Sequence, residues 1–146
     1  MPIRTTTIGA YPKPDYVHLP DWFTIPGGPD SAEPTETWAA ALEAMGPGAR
    51  ETIARGIREA VTDQIEAGID IPTDGEIPRE NYIHYHCRHL AGIDFDRLTE
   101  TELRGGAYRA RLPTITGPVT ARDAGFLAAD WRVAQEATTR PVKVGS

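Results

Sequence analysis

Residues 50–67 constrain the fold more than any other stretch. Ile53, Ile57, Ala60, Val61 and Ile65 recur at steps of three and four while Arg55, Arg58, Glu59, Asp63 and Glu66 take the other faces, which is the period of a helix with one apolar stripe. Gly68 stands where such a helix stops. Thr5-Thr6-Thr7-Ile8 before it and Ile69-Asp70-Ile71-Pro72-Thr73 after it are short and rich in β-branched residues, and both read as strands. Strand, helix, strand in that order predicts a right-handed crossover between parallel strands.

The remainder of the chain continues that pattern with one interruption. Gly9-Ala10-Tyr11-Pro12-Lys13-Pro14 ends the first strand, because proline cannot donate to a ladder. Six prolines or glycines between positions 20 and 34, with Trp22 and Phe23 among them, predict an excursion pinned by its aromatics. A helix from a Thr35 cap to Met45, closed by Gly46, follows. The spacing further predicts a helix over 80–90 with Gly92 as its stop, then an irregular stretch over 93–104. Gly105-Gly106 supplies a turn into an antiparallel strand over 108–112, where apolar and charged residues alternate. A last amphipathic helix covers about 121–138, and Pro141-Val142-Lys143-Val144 begins a third core strand.

The expected class is α/β, a parallel sheet of about three core strands with crossover helices and a hairpin insertion. Three parallel strands leave unpaired groups along two edges, and a closed eight-stranded barrel takes about 250 residues against 146 here. One domain over 1–146 suits that length, and it is expected to be incomplete, either a fragment or a subunit whose sheet another chain or a second copy finishes.

Composition narrows the partners. The net charge of −6, from 15 basic and 21 acidic side chains, comes with no basic run or stripe that could follow a phosphate backbone, so nucleic acid is not an expected partner. No apolar run approaches the roughly 18–20 residues of a membrane span, and the first residues lack the apolar core of a signal peptide. The cytosol is the expected compartment and a membrane is not an expected partner. Cys87 is the only cysteine, which rules out an internal disulfide and fits a reducing compartment.

Three segments carry a resemblance. Thr5 to Pro12, the run Gly68-Ile69-Asp70-Ile71-Pro72-Thr73-Asp74-Gly75-Glu76-Ile77-Pro78-Arg79, and Leu112-Pro113-Thr114-Ile115-Thr116-Gly117-Pro118-Val119 with Arg140-Pro141-Val142-Lys143-Val144 together resemble the cobalamin-independent methionine synthase family, in order and over nearly the whole chain. The resemblance implies the amino-terminal part of a (β/α)8 TIM barrel. It also implies a methyltransferase that moves a methyl group from 5-methyltetrahydrofolate or another donor to the thiol of homocysteine or a related thiol. Zinc is implied as well, because a thiol of pKa about 8.5 becomes a nucleophile only as the thiolate. The family's zinc ligands lie on later strands, so none is expected in this chain, and the isolated chain is expected to be inactive.

The resemblance also implies site residues. Ile8, Gly9 and Ala10 stand where the family has an Ile-Gly-Ser turn that holds the amino-acid substrate through its backbone, and Ala10 departs from that pattern by lacking the hydroxyl. Glu76 is expected to meet the substrate amino group. Both positions sit at carboxyl ends of strands, where barrels place their chemistry. Read locally, Asp74-Gly75-Glu76 favours a polar turn whose acidic side chains cap the next helix, and Gly9 permits a tight turn; the resemblance favours the substrate role. Asp74 and Arg79 lie near the same rim and are as readily an ion pair as a substrate contact.

Two other functions compete. One is a non-catalytic barrel remnant or interaction module that self-associates through open sheet edges. The other is a small metal enzyme built on His84, His86, Cys87 and His89. On a helix, however, the pair His86 and His89 points roughly 160–200° away from the pair His84 and Cys87, so an ordinary helix with packed or solvent-facing histidines is favoured. Trp38, Phe126 and Trp131 read as core or covering residues.

Overall fold

A computed structural model of the chain describes residues 3–21, 23–24 and 33–144. Its elements in order are α1 (Glu33–Ala44), α2 (Ala49–Glu66), α3 (His84–Arg88), β1 (Leu90–Leu103), β2 (Tyr108–Ala121) and α4 (Phe126–Glu136). They fall into two compact units. Met1–His18, Met45–Pro78 and Gly125–Ser146 make the first, Leu19–Ala44 and Arg79–Ala124 the second.

In the first unit α2 and α4 pack on each other, and Val17, Ile57, Val61, Ile77 and Ala134 are buried. Complete burial of an aliphatic side chain such as Ile57, Val61 or Ile77 contributes roughly 1.5–3 kcal/mol. The expected stop of α2 is present: the N–H groups of Gly68 and Ile69 donate to the carbonyls of Ile65 (3.0 Å) and Gln64 (2.9 Å), the paired bonds that reverse a chain at a helix end. The three predicted parallel strands appear as single parallel bridges, Thr6 with Ile71 and Thr73 with Lys143. Their order and sense match the expectation, whereas among the described residues these segments do not extend into full strands.

Two glutamines hold these segments to the helices before them. The Gln64 side chain, fully buried, accepts from the Thr73 N–H (2.9 Å) and the Thr7 hydroxyl (2.5 Å) and donates to the carbonyls of Ala60 (2.8 Å) and Thr73 (3.0 Å). Gln135 near the end of α4 donates to the carbonyls of Thr138 and Arg140 and accepts from the Val142 N–H.

The second unit is built on an antiparallel hairpin of β1 and β2, running from Leu90 opposite Ala121 to Leu103 opposite Tyr108, with register shifts between Ala91 and Ile93 and between Asp94 and Leu98. Its turn contains Gly105-Gly106, as predicted. Arg88 ties α1 and α3 to the hairpin: its guanidinium lies 4.6 Å from the Trp38 ring centre and 4.2 Å from that of Phe95, while Nε donates to Glu80 (2.6 Å) and Nη2 to the Thr35 carbonyl (2.8 Å).

Several expectations are corrected. Residues 93–103 of the stretch expected to be irregular are strand, because Glu100 and Glu102 stand opposite Arg111 and Arg109; cross-strand partners, invisible locally, decide strand formation. The antiparallel strand extends to Ala121 instead of ending at 112, so the last helix begins at Phe126 and not at 121. The helix over 80–90 shrinks to α3. At its start the Asn81 side chain takes the N–H groups of Ile83 and His84, and at its end the His89 carbonyl accepts from Arg122 and Asp123, which turns the chain into β1. Thr35 lies inside α1 and not at its cap; its hydroxyl pairs with His84 Nδ1 at 2.6 Å. Trp22 and residues 25–32 of the predicted excursion lie outside the described residues. Phe23 is 59% exposed, while Leu19 and Asp21 are buried. Trp38 covers Arg88 as expected of a covering residue, and Trp131 is 41% exposed. Among the described residues no helix is long and apolar enough to cross a membrane.

Two measurements test this account. Gln64→Leu keeps the volume but leaves the Thr73 N–H and C=O without partners, so chemical denaturation should register a loss of about 2–4 kcal/mol; a loss below 1 would remove the glutamine clasp as a support. Burial first, then the nearby Arg88 charge, hold His84 below its ordinary 6.5. The unfolded chain therefore binds more protons, and the stability from neutral His84 is present above about pH 6.5 and lost as pH falls through the lower folded value. His89 is shifted in the same direction, chiefly by burial against the opposing pull of Asp123. Unfolding midpoints between about pH 7.5 and 5.5 should fall with acid, and His84→Asn should flatten part of that slope.

Candidate functional site

Three chain segments run side by side in the first unit, and the first two turn just beyond their bridges. The Ile71 N–H donates to the Thr5 carbonyl (3.0 Å) and the Lys143 N–H to that of Pro72 (3.0 Å). Past the first bridge, Gly9 turns the chain with φ +85°. Past the second, Gly75 and Glu76 adopt left-handed angles of +67° and +54° in succession, and the Gly75 carbonyl accepts from the Tyr11 N–H at 2.8 Å, joining the two turns.

Between these ends lies a cavity of about 190 Å³ lined by Ile8, Gly9, Asp74, Glu76 and Lys143 among others. Such a volume suits a ligand smaller than the drug-sized molecules that fill roughly 300–1,000 Å³. Three of the four residues expected at the site, Ile8, Gly9 and Glu76, thus converge there, while Ala10 does not line it. Asp74 is 1% exposed and Glu76 8%. The Asp74 carboxylate accepts from the Glu76 N–H at 3.2 Å and the Thr73 hydroxyl from the Gly75 N–H at 3.2 Å, so the turn is braced by its own side chains. The polar-turn reading therefore holds for Asp74, although Asn81, not an acidic residue, takes the first N–H groups of α3.

Glu76 is a non-glycine residue in left-handed backbone, a conformation that costs roughly 1–2 kcal/mol. Gly75 cannot relieve it by exchange of roles, because a Cβ there would stand 2.9 Å from that of Ala60 on α2. The glycine keeps the turn pressed against the helix, and the strain falls on the residue that faces the cavity.

Lys143 and Asp74 line the cavity without having been assigned to it from the sequence. Lys143 Nζ donates to the Thr7 carbonyl at 2.8 Å. It is one of only two lysines, but no local feature of the sequence tied it to a site.

The histidines disperse. His84 pairs with the Thr35 hydroxyl, His86 Nδ1 lies 2.5 Å from the Tyr82 carbonyl, and His89 Nδ1 lies 3.7 Å from Asp123. Burial, then the Glu80 carboxylate, push the Cys87 thiol up. Among the described residues no three His, Cys, Asp or Glu side chains are grouped to hold a metal ion. Among the described residues the donor set does not fit zinc.

Residues 27–144 match the family model of the cobalamin-independent synthase catalytic domain. The chain belongs to the cobalamin-independent methionine synthase family. It is 29% identical over 121 residues to a methionine synthase of Sulfolobus acidocaldarius, covering 80% of this chain and 29% of that protein. It is 31% identical over 142 residues to the 5-methyltetrahydropteroyltriglutamate–homocysteine methyltransferase of Caulobacter vibrioides, covering 97% of this chain and 16% of that protein. A B12-independent methionine synthase from Shewanella sp. W3-18-1, solved in complex with selenomethionine, superposes with a TM-score of 0.74 at 29% identity, over 96% of this chain and 36% of that one. The chain therefore spans about a third or less of the length of these members of the family.

The backbone strain at Glu76 has a direct test. Glu76→Gly and Glu76→Ala both lack the carboxylate, and only glycine is relaxed at a left-handed angle, so the glycine variant should be the more stable by about 1–2 kcal/mol. Equal denaturation midpoints would remove the strain.

Proposed function

We propose that this chain forms the amino-acid-binding part of a zinc-dependent methyltransferase, one that moves a methyl group from 5-methyltetrahydrofolate or another donor to the thiol of homocysteine or a related thiol. Its first unit would then be the opening of a (β/α)8 barrel, part of one domain over 1–146. The hairpin is the insertion, and zinc is held by residues this chain does not supply. A single cysteine is in keeping with work in the cytosol.

The reading is supported by one observation above the others: in a member of this family, Ile8, Gly9 and Glu76 line one small cavity. Glu76 there offers an anionic acceptor for a substrate ammonium, and the Ile8–Gly9 backbone offers polar groups for the carboxylate. The nucleophile is the substrate's own sulfur, so no side chain of this chain is assigned that role. Selenomethionine, bound by the Shewanella enzyme, indicates the ligand to try first.

Calorimetric titration of the purified chain with L-methionine and L-homocysteine tests the proposal. Glu76→Gln should weaken binding about tenfold or more, the range expected for loss of a hydrogen bond to a charged partner; unchanged affinity would discredit the role of Glu76. A second reading, a non-catalytic module that self-associates, is favoured by the apolar hollow of Leu127, Ala128, Trp131 and Val142. A defined oligomer in native mass spectrometry, together with no binding of either amino acid, would select it.

A further inference from the structure

An inventory of hydrogen-bond donors around the cavity leaves one side chain available for an anion. Thr7 and Thr73 line it, but both hydroxyls are turned to Gln64 Oε1, at 2.5 and 3.4 Å. Asp74 and Glu76, as carboxylates, accept and do not donate. Ile8, Gly9 and Val144 have no polar side-chain atom. Lys143 is the remaining lining residue: its ammonium carries three donors, and Nζ gives one to the Thr7 carbonyl at 2.8 Å. It is also the only cationic side chain among the lining residues, facing the same space as two carboxylates.

We infer that Lys143 recognises the α-carboxylate of the ligand and so restricts the cavity to zwitterionic amino acids. The inference rests on the proposed amino-acid site and adds to it the residue that selects the substrate class. A ligand bearing an ammonium and a carboxylate on one carbon matches a cavity with carboxylate and ammonium groups of its own, each charge meeting its opposite in a partly dry space where such pairs are strengthened. Gly9 leaves room for it, since no atom lies within 4 Å of where a Cβ would stand. Ala10, without a hydroxyl and away from the cavity, offers no competing side-chain donor. The bond to the Thr7 carbonyl holds the ammonium one residue before the Ile8–Gly9 turn, so the anchor and the turn move as one piece.

The test compares L-methionine with 3-(methylthio)propylamine, the same molecule without its carboxylate. Wild-type chain should bind methionine about tenfold or more tightly than the amine, and Lys143→Met should bring the two affinities together by weakening methionine alone. If wild type binds methionine and Lys143→Met lowers both ligands equally, or neither, the assignment of Lys143 is overturned while the amino-acid site stands. Binding of neither ligand by wild type would overturn the site and this inference with it. Should the variant not fold, reductive ¹³C-methylation of the wild-type lysines, Lys13 and Lys143, provides a second reading. Methionine should move the Lys143 methyl resonance and the amine should leave it in place; equal displacement by both would overturn the assignment.

Discussion

The buried amide of Gln64 is the interaction on which the first unit depends. Its side chain reaches the Thr7 hydroxyl on the first segment, both backbone groups of Thr73 on the second and the Ala60 carbonyl on its own helix, while its backbone carbonyl accepts from the Ile69 N–H at the helix end. A fully buried amide is costly unless every donor and acceptor is met, and here the partners are the chain segments that carry the cavity. Removing the amide would strand the backbone of Thr73, one residue before the turn that presents Glu76. Fold and site thus share one polar clasp.

Around that clasp the site gathers charge that sequence spacing alone would scatter. Asp74 and Glu76 follow the second segment directly, whereas Lys143 lies 67 residues beyond Glu76 in the chain and reaches the cavity because its segment bridges Thr73. The left-handed angle of Glu76 is the cost of this arrangement. A turn tight against Ala60 needs glycine at position 75, and the next residue takes the strain in order to face inward. The strain at Glu76 is thus kept at a cavity-facing position and braced by the side chains of Thr73 and Asp74.

Much of the first unit was legible. The 3.6-residue period of α2, the Gly68 stop and the β-branched runs at 5–8 and 69–73 are local signals, and each marks an element or a bridge that the structure contains. The second unit was less so. Nothing within 93–104 declares a strand, because the arginines opposite Glu100 and Glu102 lie across the hairpin turn at 111 and 109. The helical pattern of 80–90 ignored both the Asn81 side chain, which sets a late start, and the claim of residues 122 and 123 on the His89 carbonyl. The candidate site divides in the same way: Ile8, Gly9 and Glu76, which line the cavity, are residues the family resemblance implies, and Lys143 is not, since no local feature says where its ammonium goes.

The sequence by itself determined the crossover helix, the order of the parallel segments and the family, because periodicity, helix stops and short motifs are properties of neighbouring residues. Only the tertiary structure decided how far each strand extends, where α3 begins and ends, and which charges share the cavity. The Asn81 cap of α3 apart, those outcomes are set by partners outside each element, from Arg109 opposite Glu102 to Arg122 on the His89 carbonyl, whose proximity exists only once the chain has folded.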